Sequence, residues 1–345
     1  MQDTRPPHRL VNPSLVGLGA PNSPSGRSLW SRRAVVRGAI TASLGFHADA
    51  PAIPPKAPHT TFQATGTPDL VAWAPPRPDP FLRATIEAVP RPVGSVGVAV
   101  HHLTTGHGAG FDADTIAPPA SLFKLGVMVA VMRAVEAGRL TLATPFEIRD
   151  EDWAPGAGLL QNRVGETVTV GEALRLMMGI SDNVAAFVLI RAVSVAQLNA
   201  VTASLGMART RFFVDERPDE TSAGDAAVIL AQIATGEAAG PPSTRAMLDL
   251  MGQRQPAAWI REALGDHVAV AHKSGQLPGV RNDAAIVPTS GGPYVIAVLT
   301  HELAYDGAGE RYVREVACAV DRYFAGERYT LDGPLPRSAS APQVG

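Results

Sequence analysis

Ser121 and Lys124 stand three residues apart in Pro118-Pro119-Ala120-Ser121-Leu122-Phe123-Lys124. On a helix that spacing puts both side chains on one face, within reach of each other. A serine hydroxyl is a weak nucleophile until a neighbour takes its proton, and a lysine with a lowered pKa can be that base. The chain has 30 Lys plus Arg, yet only three are lysines: Lys56, Lys124 and Lys273. Where positive charge alone is needed the chain uses arginine, so a lysine kept in a motif marks a group that must be able to lose its proton. Lys273 opens Lys273-Ser274-Gly275, and a second cation there favours the neutral form of Lys124. A third cluster, Ser181-Asp182-Asn183, interrupts an otherwise helical pattern between the two lysines.

These groups need a rigid frame. From Leu125 to Met132 the residues after Lys124 are apolar on nearly every side, as in a helix threaded through a core. Thr169 with Glu172 makes a capping box for a helix from Val170 to Met178, and Val184 to Val193 resumes the helical pattern after Asn183. Asp79 caps a helix that begins at Pro80 and ends before Pro90. Val93–Leu103 reads as a strand, with Gly108–Ala113 as its hairpin partner. His101 and His102 point to opposite faces of that strand, cannot share a metal, and are expected at the surface. Val268–Ala271, Asn282–Pro288 and Tyr294–His301 are three more expected strands, with Lys273-Ser274-Gly275 also in strand context; a last helix runs from about Glu310 to Ala325. Strands at both ends with helices between imply one sheet built from both termini and a helical insert beside it.

The chain of 345 residues divides into a leader (1–50), a linker (51–79), a folded region (80–328, mostly helical from about 140 to 255) and a tail (329–345). The stretch from 51 to 80 holds nine prolines and cannot fold by itself. Arg32-Arg33 before a mildly apolar run ending Ala48-Asp49-Ala50 matches a twin-arginine export signal, although Pro51 follows the expected cut. The competing reading is a basic patch in a disordered tail, which leaves the chain in the cytoplasm. A net charge of -2 and the absence of a basic stripe argue against nucleic acid as partner. No apolar run approaches the ~18 residues of a membrane-spanning helix. The single cysteine, Cys318, excludes a disulfide within the chain and is expected as a small buried hydrophobe. The nine histidines form no ligand motif, and the serine chemistry needs no cofactor or metal.

Ser121-x-x-Lys124, Ser181-Asp182-Asn183 and Lys273-Ser274-Gly275, in this order and with the first two serines sixty positions apart, form a known signature trio. From about residue 80 to 328 the chain resembles the class A β-lactamases and related penicillin-recognising serine hydrolases, and Asn282-Asp283-Ala284-Ala285-Ile286-Val287 also matches. The resemblance implies an α/β (α+β) fold, a three-layer α/β/α sandwich with a five-stranded antiparallel sheet, plus an all-helical subdomain with the site between them. It implies Ser121 as nucleophile, Lys124 as base and Ser181 as relay to the leaving nitrogen. By the same resemblance Asn183 binds the substrate's amide side chain, and the N–H groups of Ser121 and Gln276, just after Gly275, stabilise the oxyanion. Lys273 and Ser274, joined by Arg281, take a substrate carboxylate. It further implies a small-molecule substrate and a monomer.

One family element is missing. Class A enzymes hydrolyse their acyl intermediate with a Glu in a segment like Glu-Pro-x-Leu-Asn, and the corresponding region here reads from Met207 to Thr221 without it. Counting forward from Thr210-Arg211 puts Glu216 at the water-activating position. Counting back from Lys273 implies instead that about a dozen loop residues are absent, and the missing Leu-Asn half favours that register. Asp215, Glu216, Asp219 and Glu220 then read as a solvated acidic loop.

Overall fold

The computed structural model describes residues 70, 73–215 and 217–326. All of them belong to the unit Ser31–Gly345; the other unit, Met1–Trp30, lies outside the described residues, as do the expected export signal, nearly all of the linker up to residue 72, Glu216 and the tail from 327. The strands are β1 (Arg77–Pro78), β2 (Ser95–His102), β3 (His107–Phe111), β4 (Pro145–Glu147), β5 (Thr167–Thr169), β6 (Ala271–Leu277), β7 (Val280–Val287) and β8 (Tyr294–His301). The helices are α1 (Pro80–Glu87), α2 (Phe123–Glu136), α3 (Val170–Gly179), α4 (Asn183–Val193), α5 (Val195–Ser204), α6 (Ala223–Thr235), α7 (Pro241–Met251), α8 (Trp259–Leu264) and α9 (Asp306–Phe324).

Alternation along the strands explains the layers. Val96, Val98 and Val100 of β2 join Ile296 and Val298 of β8 and Ala285 and Val287 of β7 on one face, against Leu82 and Ile86 of α1 and Val313, Val316 and Val320 of α9. Ala99, Val295, Ala297, Leu299, Ala284 and Ile286 face the other way, into the core shared with α2, α4 and α6. Each fully buried Val or Ile contributes about 1.5–3 kcal/mol, so covering both faces is what holds the sheet between its helical layers. The sheet runs β1-β3-β2-β8-β7-β6. Its five longer strands are antiparallel, as expected. The sixth is a two-residue parallel piece, β1 on β3, where Pro78 has no N–H to extend a ladder. The fold is the three-layer α/β/α sandwich, with α2 to α5, α7 and the small β4–β5 hairpin beside it.

Local chemistry fixes the ends. Asp79 Oδ1 accepts from Phe81 N and Leu82 N at 3.1 and 3.0 Å, and its second oxygen takes the Tyr323 hydroxyl at 2.8 Å, tying α1 to α9. Thr169 caps α3 by accepting from Glu172 N at 3.2 Å. The return half of the expected capping box is diverted, because the Glu172 carboxylate takes Arg163 Nη1 at 3.2 Å.

Three expectations change. His101 and His102 are buried, at 6% and 5% exposure, because β2 is an inner strand: the His101 ring meets Trp73 at 5.2 Å and the His102 ring meets Phe324 at 5.0 Å. Burial, then the neighbouring His102, push the His101 pKa down to about 4, so its ring is neutral. The strand expected at Val268–Ala271 begins instead at Ala271 and includes Lys273-Ser274-Gly275, since Val268 N turns back to Gly265 O. Cys318 is half-buried and donates weakly to Ala263 O at 3.6 Å.

The acidic loop also differs from a solvated one. Arg211 and Glu220 pair across its base, which confines it to residues 212–219, and Asp215 sits at the surface against Arg217. Asp219 is only 7% exposed and accepts from Phe213 N at 3.0 Å. Burial raises its pKa to about 7, opposed by that hydrogen bond. Because the folded pKa is raised, the folded chain holds a proton that the unfolded chain has already released. Stability is therefore full below pH 3.8 and falls as pH rises to about 7. Asp219→Asn removes this cost, on the order of 4 kcal/mol at pH 8 and much less at pH 5. Thermal unfolding at both pH values checks it: a gain no larger at pH 8 than at pH 5 contradicts the assignment.

Candidate active site

Ser121 lies in a 3-10 turn, Ala120–Leu122, that runs directly into α2. Phe123 to Met132 and Ala134 are all buried, so the nucleophile's helix is anchored on every side. Ala120 is held at φ +47°, a left-handed conformation costly for a residue with a Cβ. Ser181 is held at φ +61°. Such outliers persist only where surrounding structure over-determines them, and here one immediately precedes Ser121 and the other is Ser181 itself.

Asn282 of β7 supplies part of that surrounding structure. Fully buried, it donates from Nδ2 to Pro118 O at 2.9 Å and Pro119 O at 3.3 Å, while its Oδ1 accepts from Thr300 N at 3.0 Å. Its backbone partner across the ladder is Gly275. One asparagine thus ties the segment before Ser121 to the sheet. Asp182 fixes the opposite wall: it caps α4 through Ala185 N at 2.9 Å and accepts Leu159 N and Leu160 N at 2.6 and 3.1 Å. Gly158, at φ +140°, faces that carboxylate so closely that any Cβ would lie 2.5 Å from it. Asn183 N and Nδ2 donate to Ala157 O at 3.0 Å and Pro155 O at 2.7 Å, so the loop from Trp153 to Leu160 is stitched to the Ser181-Asp182-Asn183 motif.

The three reacting groups meet. Lys124 Nζ is 3.3 Å from Ser121 Oγ and 3.0 Å from Ser181 Oγ, and the Ser181 hydroxyl donates to Ser121 Oγ at 3.0 Å. Lys124 Nζ also reaches Asn183 Oδ1 at 2.8 Å and Ser181 O. Lys124 is wholly buried. Burial first, and the Lys273 charge second, hold its pKa well below the usual lysine range, opposed by Asp182. A neutral amine beside a serine hydroxyl is the state that can take a proton. Among the described residues no carboxylate lies within ion-pair distance of this nitrogen; Glu216 is outside them.

On β6, an edge strand, Lys273 and Gly275 share one face and Ser274 lies on the other. A Cβ on Gly275 would lie 2.9 Å from Ser121 N and 2.9 Å from Pro119 O, so only glycine lets the strand approach the nucleophile this closely. Ser274 N leaves the outer edge toward Gln255 Oε1 at 3.4 Å. Antiparallel N–H groups alternate, so Gln276 N, two residues on, leaves the same edge. With Ser121 N in a first helical turn, where amides lack intrahelical partners, these are two donors for a developing oxyanion. Ser274 Oγ itself donates to Ala257 O at 2.8 Å. Arg281 is turned to α9: Nη2 pairs with Asp306 at 2.8 Å, Nε with Glu310 at 3.1 Å, and Nη1 donates to Leu277 O and Val280 O at 2.8 Å. The structure brings Ser121, Lys124, Ser181, Asn183 and Gly275 together, while Ser274 and Arg281 spend their side chains elsewhere.

Residues 82–324 match the model of the beta-lactamase enzyme family. The chain belongs to that family. A β-lactamase from Rhodobacter capsulatus is 26% identical over 233 residues, 63% of this chain and 79% of that protein. A solved β-lactamase from Sphaerobacter thermophilus is similar over 71% of this chain and 97% of that one, with 28% identity and a TM-score of 0.65. A mutant of PBP-A, solved as an acyl-enzyme complex with penicillin G, is similar over 74% of this chain and 100% of that one, with 29% identity and a TM-score of 0.69. This β-lactamase-family chain keeps the motif trio legible in its sequence. In the sequence Asn282 falls in the stretch that matches the family but has no role assigned to it there, and Gln255 was missed. Asn282 stands in a polar run, Arg281-Asn282-Asp283, near the start of β7, while Gln255, in a polar turn before Pro256, carried no signal.

Proposed function

We propose that this chain is a serine hydrolase that opens the amide of a β-lactam through an acyl-enzyme on Ser121. The observation that carries the reading is the Ser121–Lys124–Ser181 triangle, closed at 3.0 to 3.3 Å around a buried amine. In this reading Lys124 takes the Ser121 proton as Oγ attacks the carbonyl carbon. The oxyanion collects on Ser121 N and Gln276 N, each donor worth roughly 3 kcal/mol. Ser181 then passes the proton to the leaving nitrogen as the C–N bond breaks. Releasing the acyl group needs an activated water. The short loop at 212–219 and the neutral partners of Lys124 support slow release. They also favour a second reading, a D,D-peptidase or esterase relative that acylates with β-lactams but turns over peptides or esters. The Arg32-Arg33 leader supports export by the twin-arginine route.

Rapid mixing with a chromogenic cephalosporin tests this. The expected trace is a burst of about one product per chain followed by a slow phase. Sustained turnover at the burst rate points to a competent base and makes Glu216 the next position to change. No burst and no turnover rejects the β-lactam reading.

A further inference from the structure

Lys273 is wholly buried on the face of β6 that looks toward the nucleophile, and its ammonium has a partner outside the motif trio, 18 residues before Lys273. Gln255, 5% exposed in the turn between α7 and α8, wraps three consecutive residues of β6. Its Nε2 donates to His272 O, and its Oε1 accepts from Lys273 Nζ at 3.1 Å and Ser274 N at 3.4 Å. The turn is itself pinned, since Arg261 Nη2 donates to Gly252 O at 3.0 Å and to Val270 O. The other acceptor of Lys273 Nζ is Ser274 O at 2.7 Å, so both contacts are neutral oxygens.

We propose that Gln255 is the positioning residue of an anion subsite, holding the Lys273 ammonium for the carboxylate of an anionic substrate. The proposal rests on the functional reading above and deepens it. A buried cation held by neutral acceptors keeps its charge uncompensated at contact range, so a carboxylate entering the site is attracted; a carboxylate built in at 255 would compete with it. Arg281 does not share the task, being committed to Asp306 and Glu310. Of the charged groups near Lys273, Lys124 of α2 faces it, while Asp283 of β7 lies on the opposite face of the sheet, paired with His272 Nδ1 at 3.1 Å, and acts on Lys273 only through its charge; Arg245 and Asp249 of α7 are exposed. Burial pushes Lys273 down to about 7 against the pull of Asp283, so the ammonium is lost as pH rises through neutrality and the subsite weakens with it.

Three lysines in the chain make the test direct. In the full chain labelled at lysine carbon ε, the Lys273 signal is assigned by its loss in Lys273→Arg and titrated by NMR. Gln255→Glu is expected to raise its midpoint by about one pH unit or more, and Gln255→Met, which keeps length without polar atoms, to lower it. A midpoint unmoved in both variants overturns the proposal. In parallel, Gln255→Glu is expected to raise the half-saturating concentration of a penicillin about tenfold with the limiting acylation rate kept, and to leave the penicillin methyl ester unchanged. Equal effects on acid and ester overturn the carboxylate role. Acylation of the unmodified chain by neither compound rejects the functional reading, while the titration still judges Gln255.

Discussion

Lys124→Met is expected to slow acylation of Ser121 by a β-lactam by roughly 10²- to 10⁴-fold, the usual contribution of a positioned base. Methionine keeps the apolar stem among the buried residues of α2 and deletes only the nitrogen that reaches Ser121 Oγ, Ser181 Oγ and Asn183 Oδ1. The pH profile sharpens the test. A base works when neutral, and burial with Lys273 nearby holds the Lys124 pKa well below the usual lysine range. The acylation rate of the unmodified chain therefore rises with pH to a plateau reached far below pH 10.5. Lys124→Met loses that rising limb. Stopped-flow acylation from pH 5 to 9 decides the matter: a variant within tenfold of the unmodified chain, with the limb intact, removes Lys124 from the role of base.

Gly275→Ala is expected to lower the same rate by roughly 10²- to 10³-fold, the loss typical of one misplaced oxyanion donor. The atoms an alanine methyl would meet are backbone, Ser121 N and Pro119 O, both at 2.9 Å, and they cannot swing aside as a side chain would. Asn282 holds that same backbone from the other direction through Pro118 O and Pro119 O, so the strand and the nucleophile turn must part. The gap between Ser121 N and Gln276 N then widens. Near-UV circular dichroism separates this from unfolding. A folded Gly275→Ala chain that acylates at the unmodified rate contradicts the placement of the oxyanion donors on this edge of β6.

Much of the frame was legible because it rests on local chemistry. The Asp79 cap, the apolar run after Lys124 and the short apolar runs of β7 and β8 each follow from neighbours in sequence. The motif trio was legible through the spacing of rare residue types. What escaped depends on partners brought from far away. His101 and His102 point to opposite faces as in a surface strand, but β2 is an inner strand, with Trp73 against one ring and Phe324 against the other. Asp219 looked solvated among other acids until the Arg211–Glu220 pairing turned it inward. Gln255 is meaningful only once β6 lies against it, and the side chains of Ser274 and Arg281 are claimed by Ala257 O, Asp306 and Glu310, none adjacent in sequence.

The central claim is that Ser121 becomes covalently acylated, and intact-mass spectrometry reads this directly. The purified full chain is mixed with a simple penicillin, quenched over a time course and digested to map the modified peptide, beside Ser121→Ala. The account predicts a mass increase equal to one intact penicillin, located on the peptide containing Ser121, persisting through the slow phase and absent in Ser121→Ala. An adduct on another residue, or one that survives Ser121→Ala, would contradict it.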